Sequence, residues 1–135
     1  MMNQIKLVTD SAAHLSKADL QAYGISVLNP PIIMDGKLLG YVNKISSEKF
    51  LQLFDQCSNK PIIGDVSVGE ITRLYNELGA DGSQILSIHL SDKLSNTYAN
   101  AKTAASKSTS PVNSDLFAFN CLFDYIFEGR SPVNL

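Results

Sequence analysis

A chain of 135 residues, 44% hydrophobic and 18% charged, has the length of one ordinary domain and the composition of a globular protein rather than a disordered one. Its 11 basic and 13 acidic side chains are interspersed and sum to a net charge of −2, so there is no Lys/Arg stripe to hold a phosphate backbone, and nucleic acid is excluded as a partner class. No run approaches the roughly 18 apolar residues of a membrane span, and Met1-Met2-Asn3-Gln4-Ile5-Lys6 is too polar to open a signal peptide. A domain of this size buries roughly two-thirds of its extended-chain surface and needs no staple. Cys57 and Cys121 form no CxxC pair and are read as two unrelated reduced thiols, as in a cytoplasmic protein.

Ile5-Lys6-Leu7-Val8-Thr9 reads as a strand entering Asp10-Ser11, followed by a short helix with Ser16 as cap and Gly24 as stop. A second strand signal at Ile25 to Leu28 is broken by Asn29-Pro30-Pro31. Ile32-Ile33-Met34 then turns through Asp35-Gly36 into Lys37-Leu38-Leu39, a hairpin that leaves the main pattern. A helix begins around Ser46, with Glu48 in its first turn and Phe50, Leu51, Phe54 and Cys57 on one apolar face. Ser67-Val68-Gly69-Glu70 fits the S-x-x-E capping box, and Ile71, Leu74, Tyr75 and Leu78 continue one stripe up to Gly79. Gln84 to Leu90 reads as a buried strand, and an Ala-rich helix follows over roughly 96–106. After a Ser/Thr/Pro/Asn-rich loop, Phe117, Phe119, Leu122, Phe123, Tyr125, Ile126 and Phe127 mark a final helix that is apolar on more than one side.

Strands alternating with helices argue for a mostly parallel sheet covered by helices, with the loops after the strand carboxyl ends gathered at one edge to build a ligand site. Those loops are 9–14, 61–67 and 91–97. In the last of them Ser95-Asn96-Thr97 sits where a strand gives way to a helix, so first-turn N–H groups lie beside short polar side chains, an arrangement suited to a carboxylate or phosphate. The plainer reading is that Ser95 only caps its own helix.

Ile88-His89-Leu90-Ser91-Asp92-Lys93-Leu94-Ser95-Asn96-Thr97-Tyr98 is similar to the I-x-I-S-S-x-L-S-G-T-Y segment of the DegV family, and Val8-Thr9-Asp10-Ser11-Ala12 resembles that family's opening T-D-S-T/A. Its intervening T-S-Q-P-S aligns with Ile63-Gly64-Asp65-Val66-Ser67. The resemblance covers residues 5–105 and implies an α/β, three-layer Rossmann-like domain with a mostly parallel sheet, as in the first domain of DegV proteins. It implies a lipid-binding protein without catalytic activity or cofactor, holding a long-chain fatty acid for presentation to a separate fatty-acid kinase. Ser95 matches the family serine that hydrogen-bonds the carboxylate, and Thr97 completes the motif. Asn96 stands for its glycine, and Ile63, beside Gly64, stands for the partner threonine. Isoleucine cannot donate a hydrogen bond. Asp10, Ser11, Ser91 and His89 are expected to support the site from behind. Phe123-Asp124-Tyr125-Ile126-Phe127-Glu128-Gly129-Arg130-Ser131 looks like the family's next helix. The whole chain, 1–135, is therefore expected to be a single N-terminal DegV-like domain with 106–135 a divergent tail and the family's second domain absent.

The alternative reading is a truncated remnant without lipid binding that forms a homodimer through the aromatic C-terminal helix. A small-molecule hydrolase ranks below both. Gly64-Asp65-Val66-Ser67-Val68-Gly69-Glu70-Ile71 has a G-x-x-x-x-G skeleton but lacks the Lys-Ser/Thr of a P-loop, and Ser67 is misplaced for a G-x-S-x-G elbow. His89 reads as a structural histidine bonded near the sheet edge, and His14 as a cleft or solvent residue. Two histidines and two cysteines without ligand spacing suggest no metal site.

Overall fold

A computed structural model describes residues 4–90 and 92–113. Ser91, Cys121 and the aromatic C-terminal helix expected from the sequence lie outside them. The elements in chain order are β1 (Ile5–Asp10), α1 (Lys17–Ala22), β2 (Ser26–Leu28), β3 (Pro31–Met34), β4 (Lys37–Tyr41), α2 (Ser47–Phe54), β5 (Ile62–Ile63), α3 (Val68–Gly79), β6 (Gln84–Ile88), α4 (Thr97–Lys107) and β7 (Val112–Asn113).

The main sheet is parallel throughout, in the order β2-β1-β6-β7. The expected Rossmann-like α/β class is what the chain adopts. Val8 and Thr9, neighbours that point to opposite faces of β1, are both buried, as befits an inner strand of a parallel sheet. From β1 the chain crosses through α1 to β2 on one side, and later returns to β6 on the other. The order of the strands therefore reverses at β1, and a crevice opens where the carboxyl ends of β1 and β6 meet.

The packing side of this sheet is covered by α3 and α4. Ile71 and Tyr75, one turn apart on α3, join Val8, Leu28, Ile85, Ala101 and Ala104 in one buried cluster. The two alanines, three residues apart on α4, leave little side chain between that helix and its neighbours. The capping box read from the sequence is complete: Glu70 N–H donates to Ser67 Oγ at 3.2 Å, and Ser67 N–H donates to Glu70 Oε2 at 3.2 Å. At the exit of α4, Asn76 Oδ1 accepts from Ser108 Oγ at 2.9 Å and from Thr109 N–H at 3.0 Å, fixing the turn that leads into β7.

The hairpin excursion forms a second sheet, antiparallel, in the order β4-β3-β5. Asp35 and Gly36 have φ values of 48° and 75°, the left-handed pair that a two-residue turn between twisted strands requires. The Asp35 carboxylate also accepts from Asn59 Nδ2 at 2.8 Å and from Ser58 N–H at 3.2 Å, which ties the loop after α2 to the hairpin. Two expectations are corrected here. The α2 helix ends at Phe54, so Cys57 is not on it, and the apolar face that remains leaves Leu51 and Phe54 59% and 43% exposed. Residues 61–67 are not all loop: Ile62 and Ile63 pair with Ile33 and Ile32 as β5, with both side chains largely exposed.

The buried α3 face and its cap predict two separable costs in urea denaturation. Ile71→Ala should lose about 2–5 kcal/mol through the cavity it leaves, and Ser67→Ala about 1 kcal/mol through the lost cap.

Candidate functional site

Asp10 is the last residue of β1, and its carboxylate closes the crevice between the two central strands. One oxygen accepts from Leu90 N–H at 2.7 Å, across 80 residues of sequence, and the other accepts from Ala12 N–H at 3.1 Å. The turn after β1 and the loop after β6 are thereby held together. Behind Asp10, His89 Nδ1 stands 3.6 Å from Oδ2, and Ser87 Oγ lies 2.6 Å from His89 Nε2. Tyr75 OH donates to Ser87 Oγ at 2.7 Å. Burial alone would push the Asp10 carboxyl up, but the His89 ring and the two amides outweigh it and hold the group below the ordinary carboxylate range. Burial pushes the Tyr75 phenol up.

Above Asp10 opens a cleft of about 440 Å³, within the size range of small-molecule sites. Ser95 and Thr97 reach it from the start of α4, Ile63 and Gly64 from the end of β5, and Asp10 and Ser11 from the end of β1. Gly64 owes its place to space: a Cβ there would come within 3.1 Å of the Pro31 ring, and its N–H donates to Pro31 O at 2.8 Å.

At the helix start, Ser95 is not the N-cap. That position is Asn96, whose side chain makes no cap bond. Ser95 Oγ instead accepts from Thr97 N–H at 3.1 Å and donates to Thr97 Oγ1 at 2.9 Å. The two hydroxyls form one unit, with the Tyr98 and Ala99 amides following in the first turn. Asn96 is exposed and does not line the cleft. Its Nδ2 donates to Asp65 Oδ2 at 3.0 Å, and Asn100 Nδ2 donates to Val66 O at 3.0 Å. The side chain that replaces a motif glycine thus anchors α4 to the loop before α3.

A second groove of about 400 Å³, lined by Ile32, Ile45, Phe50 and Leu51, shares Val42 and Ile63 with the polar cleft. The exposed apolar face of α2 therefore lines a groove instead of joining the core. A wider and shallower depression of about 770 Å³ runs along α3 past Arg73 to Lys107. It follows the outer face of α3 instead of opening between the loops at the carboxyl edge of the sheet, where an open parallel sheet places its ligands, so the cleft above Asp10 is the better candidate.

The family model for "uncharacterised protein, DegV family" matches residues 4–120. The chain belongs to the DegV family. A DegV domain-containing protein of Listeria monocytogenes is 31% identical over 130 residues, covering 96% of this chain and 44% of that protein. One from Staphylococcus aureus is 39% identical over 107 residues, covering 78% of this chain and 37% of the relative. The chain thus spans less than half the length of these curated relatives. Among solved structures, DegV from Bacillus subtilis, described as a fatty acid binding protein, superposes with a TM-score of 0.73 at 22% identity, over 96% of this chain and 50% of that one. A DegV family protein from Thermus thermophilus, described by its fatty acid binding, gives 0.71 at 24% identity, over 95% and 49%. These likenesses establish the DegV fold.

Of the DegV motif residues, Ser95, Thr97, Ile63, Gly64, Asp10 and Ser11 meet at one cleft. His89 is buried at 2% exposure behind it, at the carboxyl end of the inner strand β6, and is bonded to Ser87. Sequence reasoning missed Val42, which bridges the two cavities, and Asn100. Nothing local in the sequence signals either. Ser87, His89 and Asp10 repeat the order of a hydrolase triad, but Ser87 is 1% exposed and already bonded by Tyr75, so a substrate has no approach to its hydroxyl. Among the described residues no group of three or more His, Cys, Asp or Glu could hold a metal ion, and no helix is long and apolar enough to cross a membrane.

Because the folded Asp10 carboxyl titrates below its unfolded value of about 3.9, it stabilises the fold above that pH, and the contribution drains away as pH falls through the folded pKa. Urea unfolding between pH 6 and 2.5 should show wild type losing stability more steeply below about pH 4 than Asp10→Asn.

Proposed function

We propose that the cleft holds a long-chain fatty acid. Its carboxylate meets the Ser95–Thr97 hydroxyl pair and the opening amides of α4, and its tail crosses Ile63 and Val42 into the groove beside α2. The observation that carries this reading is the adjacency of the two cavities: polar donors line one, apolar side chains line the other, and Val42 and Ile63 belong to both. The two carboxylates on the polar side have partners of their own. Asp10 is met by two amides and Asp65 by Asn96, which limits their repulsion of an incoming anion. Ile63, in place of the family threonine, contributes contact with the tail instead of a hydrogen bond to the head. The fatty acid binding described for the solved relatives points the same way.

The protein on this reading is a carrier without chemistry of its own, and presents its fatty acid to a separate kinase. A bound acid with its head at a helix start and its tail shielded suits such a handover. Native mass spectrometry of the bacterially expressed chain should show a co-purified acid of C14–C18 length, and Ser95→Ala should weaken palmitate binding about tenfold, the worth of one hydrogen bond to a charged group. Protein that stays empty after addition of palmitate or oleate would refute the reading. The competing reading, self-association without lipid, draws on Ile62, Ile63 and Leu38, exposed at 64%, 65% and 60%. Sedimentation separates the two: a monomer that takes up palmitate supports the carrier, and an obligate dimer indifferent to it supports the remnant.

A further inference from the structure

Tyr75, Ser87, His89 and Asp10 form a buried file of side chains running from the middle of α3, through the end of β6, to the floor of the cleft. Proton placement along the file follows from its geometry. Tyr75 donates to Ser87 Oγ at 2.7 Å, so the single Ser87 proton is left to point at His89 Nε2, 2.6 Å away. The opposite arrangement, with Nε2 protonated, would strand the Ser87 proton in the core and face a bare Nδ1 lone pair toward the Asp10 carboxylate. The geometry favours the Nδ1–H tautomer of His89. That nitrogen is buried, has no hydrogen-bond partner among the described residues, and is aimed at Asp10 Oδ2 at 3.6 Å, the oxygen that also receives Leu90 N–H. At 3.6 Å the approach is electrostatic and just short of a formed bond.

We propose that His89 is a positioning residue for the cleft: its Nδ1–H orients the Asp10 carboxylate, which in turn sets the relative places of the Ser11–Ala13 turn and the loop carrying Ser95. The file has the His-carboxylate logic of a triad, turned from activating a nucleophile to aiming a clamp. Its importance for a ligand rests on the head-group site proposed above, whereas its effect on the two loops does not.

Two substitutions separate orientation from space-filling. In His89→Asn the amide nitrogen can take the place of Nδ1 and still donate to Asp10. In His89→Gln it takes the place of Nε2, and the Asp10 side is lost. Imidazole ¹⁵N spectra of the unaltered full chain should show His89 protonated at Nδ1 and accepting at Nε2, and the reverse tautomer overturns the proposal. Amide exchange at Ala12 and Leu90 should rise about tenfold in His89→Gln and stay within about threefold of wild type in His89→Asn, reflecting the loss or retention of one close electrostatic contact to the carboxylate. Equal or inverted effects overturn it as well. Palmitate affinity should follow the same ranking. If the tautomer and exchange pattern appear in a protein that takes up no palmitate, the head-group reading fails and the relay stands.

Discussion

The bond from Leu90 N–H to the Asp10 carboxylate is the constraint on which the candidate site depends. Parallel pairing brings the carboxyl ends of β1 and β6 side by side but leaves the chain beyond them undetermined. Each strand runs into an irregular segment whose backbone groups need partners. One carboxylate serves both segments, receiving an amide from each, and it stays ionised because the surrounding donors outweigh its burial. A neutral side chain at position 10 could accept one of these bonds, but would bring no charge to strengthen both.

With that clamp in place, the remainder of the cleft is assembled by side-chain amide hydrogen bonds and close backbone packing. Asn96 and Asn100 moor the start of α4 to residues 65 and 66, while Gly64 lets β5 lie close to Pro31. Ser95 and Thr97 are consequently presented by a helix fixed at several points, and not by a free loop. The second sheet supplies Ile63, the turn after β4 supplies Val42, and together they extend the site into apolar surface that the main domain core does not use. A cavity with polar donors and an apolar groove thus stand side by side, with Val42 and Ile63 lining both.

What the sequence made legible was local or periodic. Asp35-Gly36 announced the hairpin because only a few residue pairs accept two positive φ angles, and the capping box announced α3 because its reciprocal bonds span three residues. The DegV-like segments pointed to the cleft in advance through Ser95, Thr97, Ile63 and Gly64. The two-residue strands β5 and β7 escaped, since so short a stretch carries no period. The helical spacing of Phe50, Leu51 and Phe54 was real, yet spacing alone cannot distinguish a face buried in a core from one lining an open groove. The Asp10–His89 approach and the outward turn of Asn96 depend on residues far apart in the chain, and no pattern within one segment encodes them.

The location of the ligand is the most direct test of this account. Titration of the ¹⁵N-labelled chain with palmitate carrying ¹³C at its carboxyl carbon would report which amides lie beside the head group. The account predicts the largest shift changes at Ser95, Thr97, Tyr98 and Ala99, with smaller changes at Ile63 and Val42. Changes confined to the depression along α3, around Thr72, Arg73 and Lys107, would contradict it.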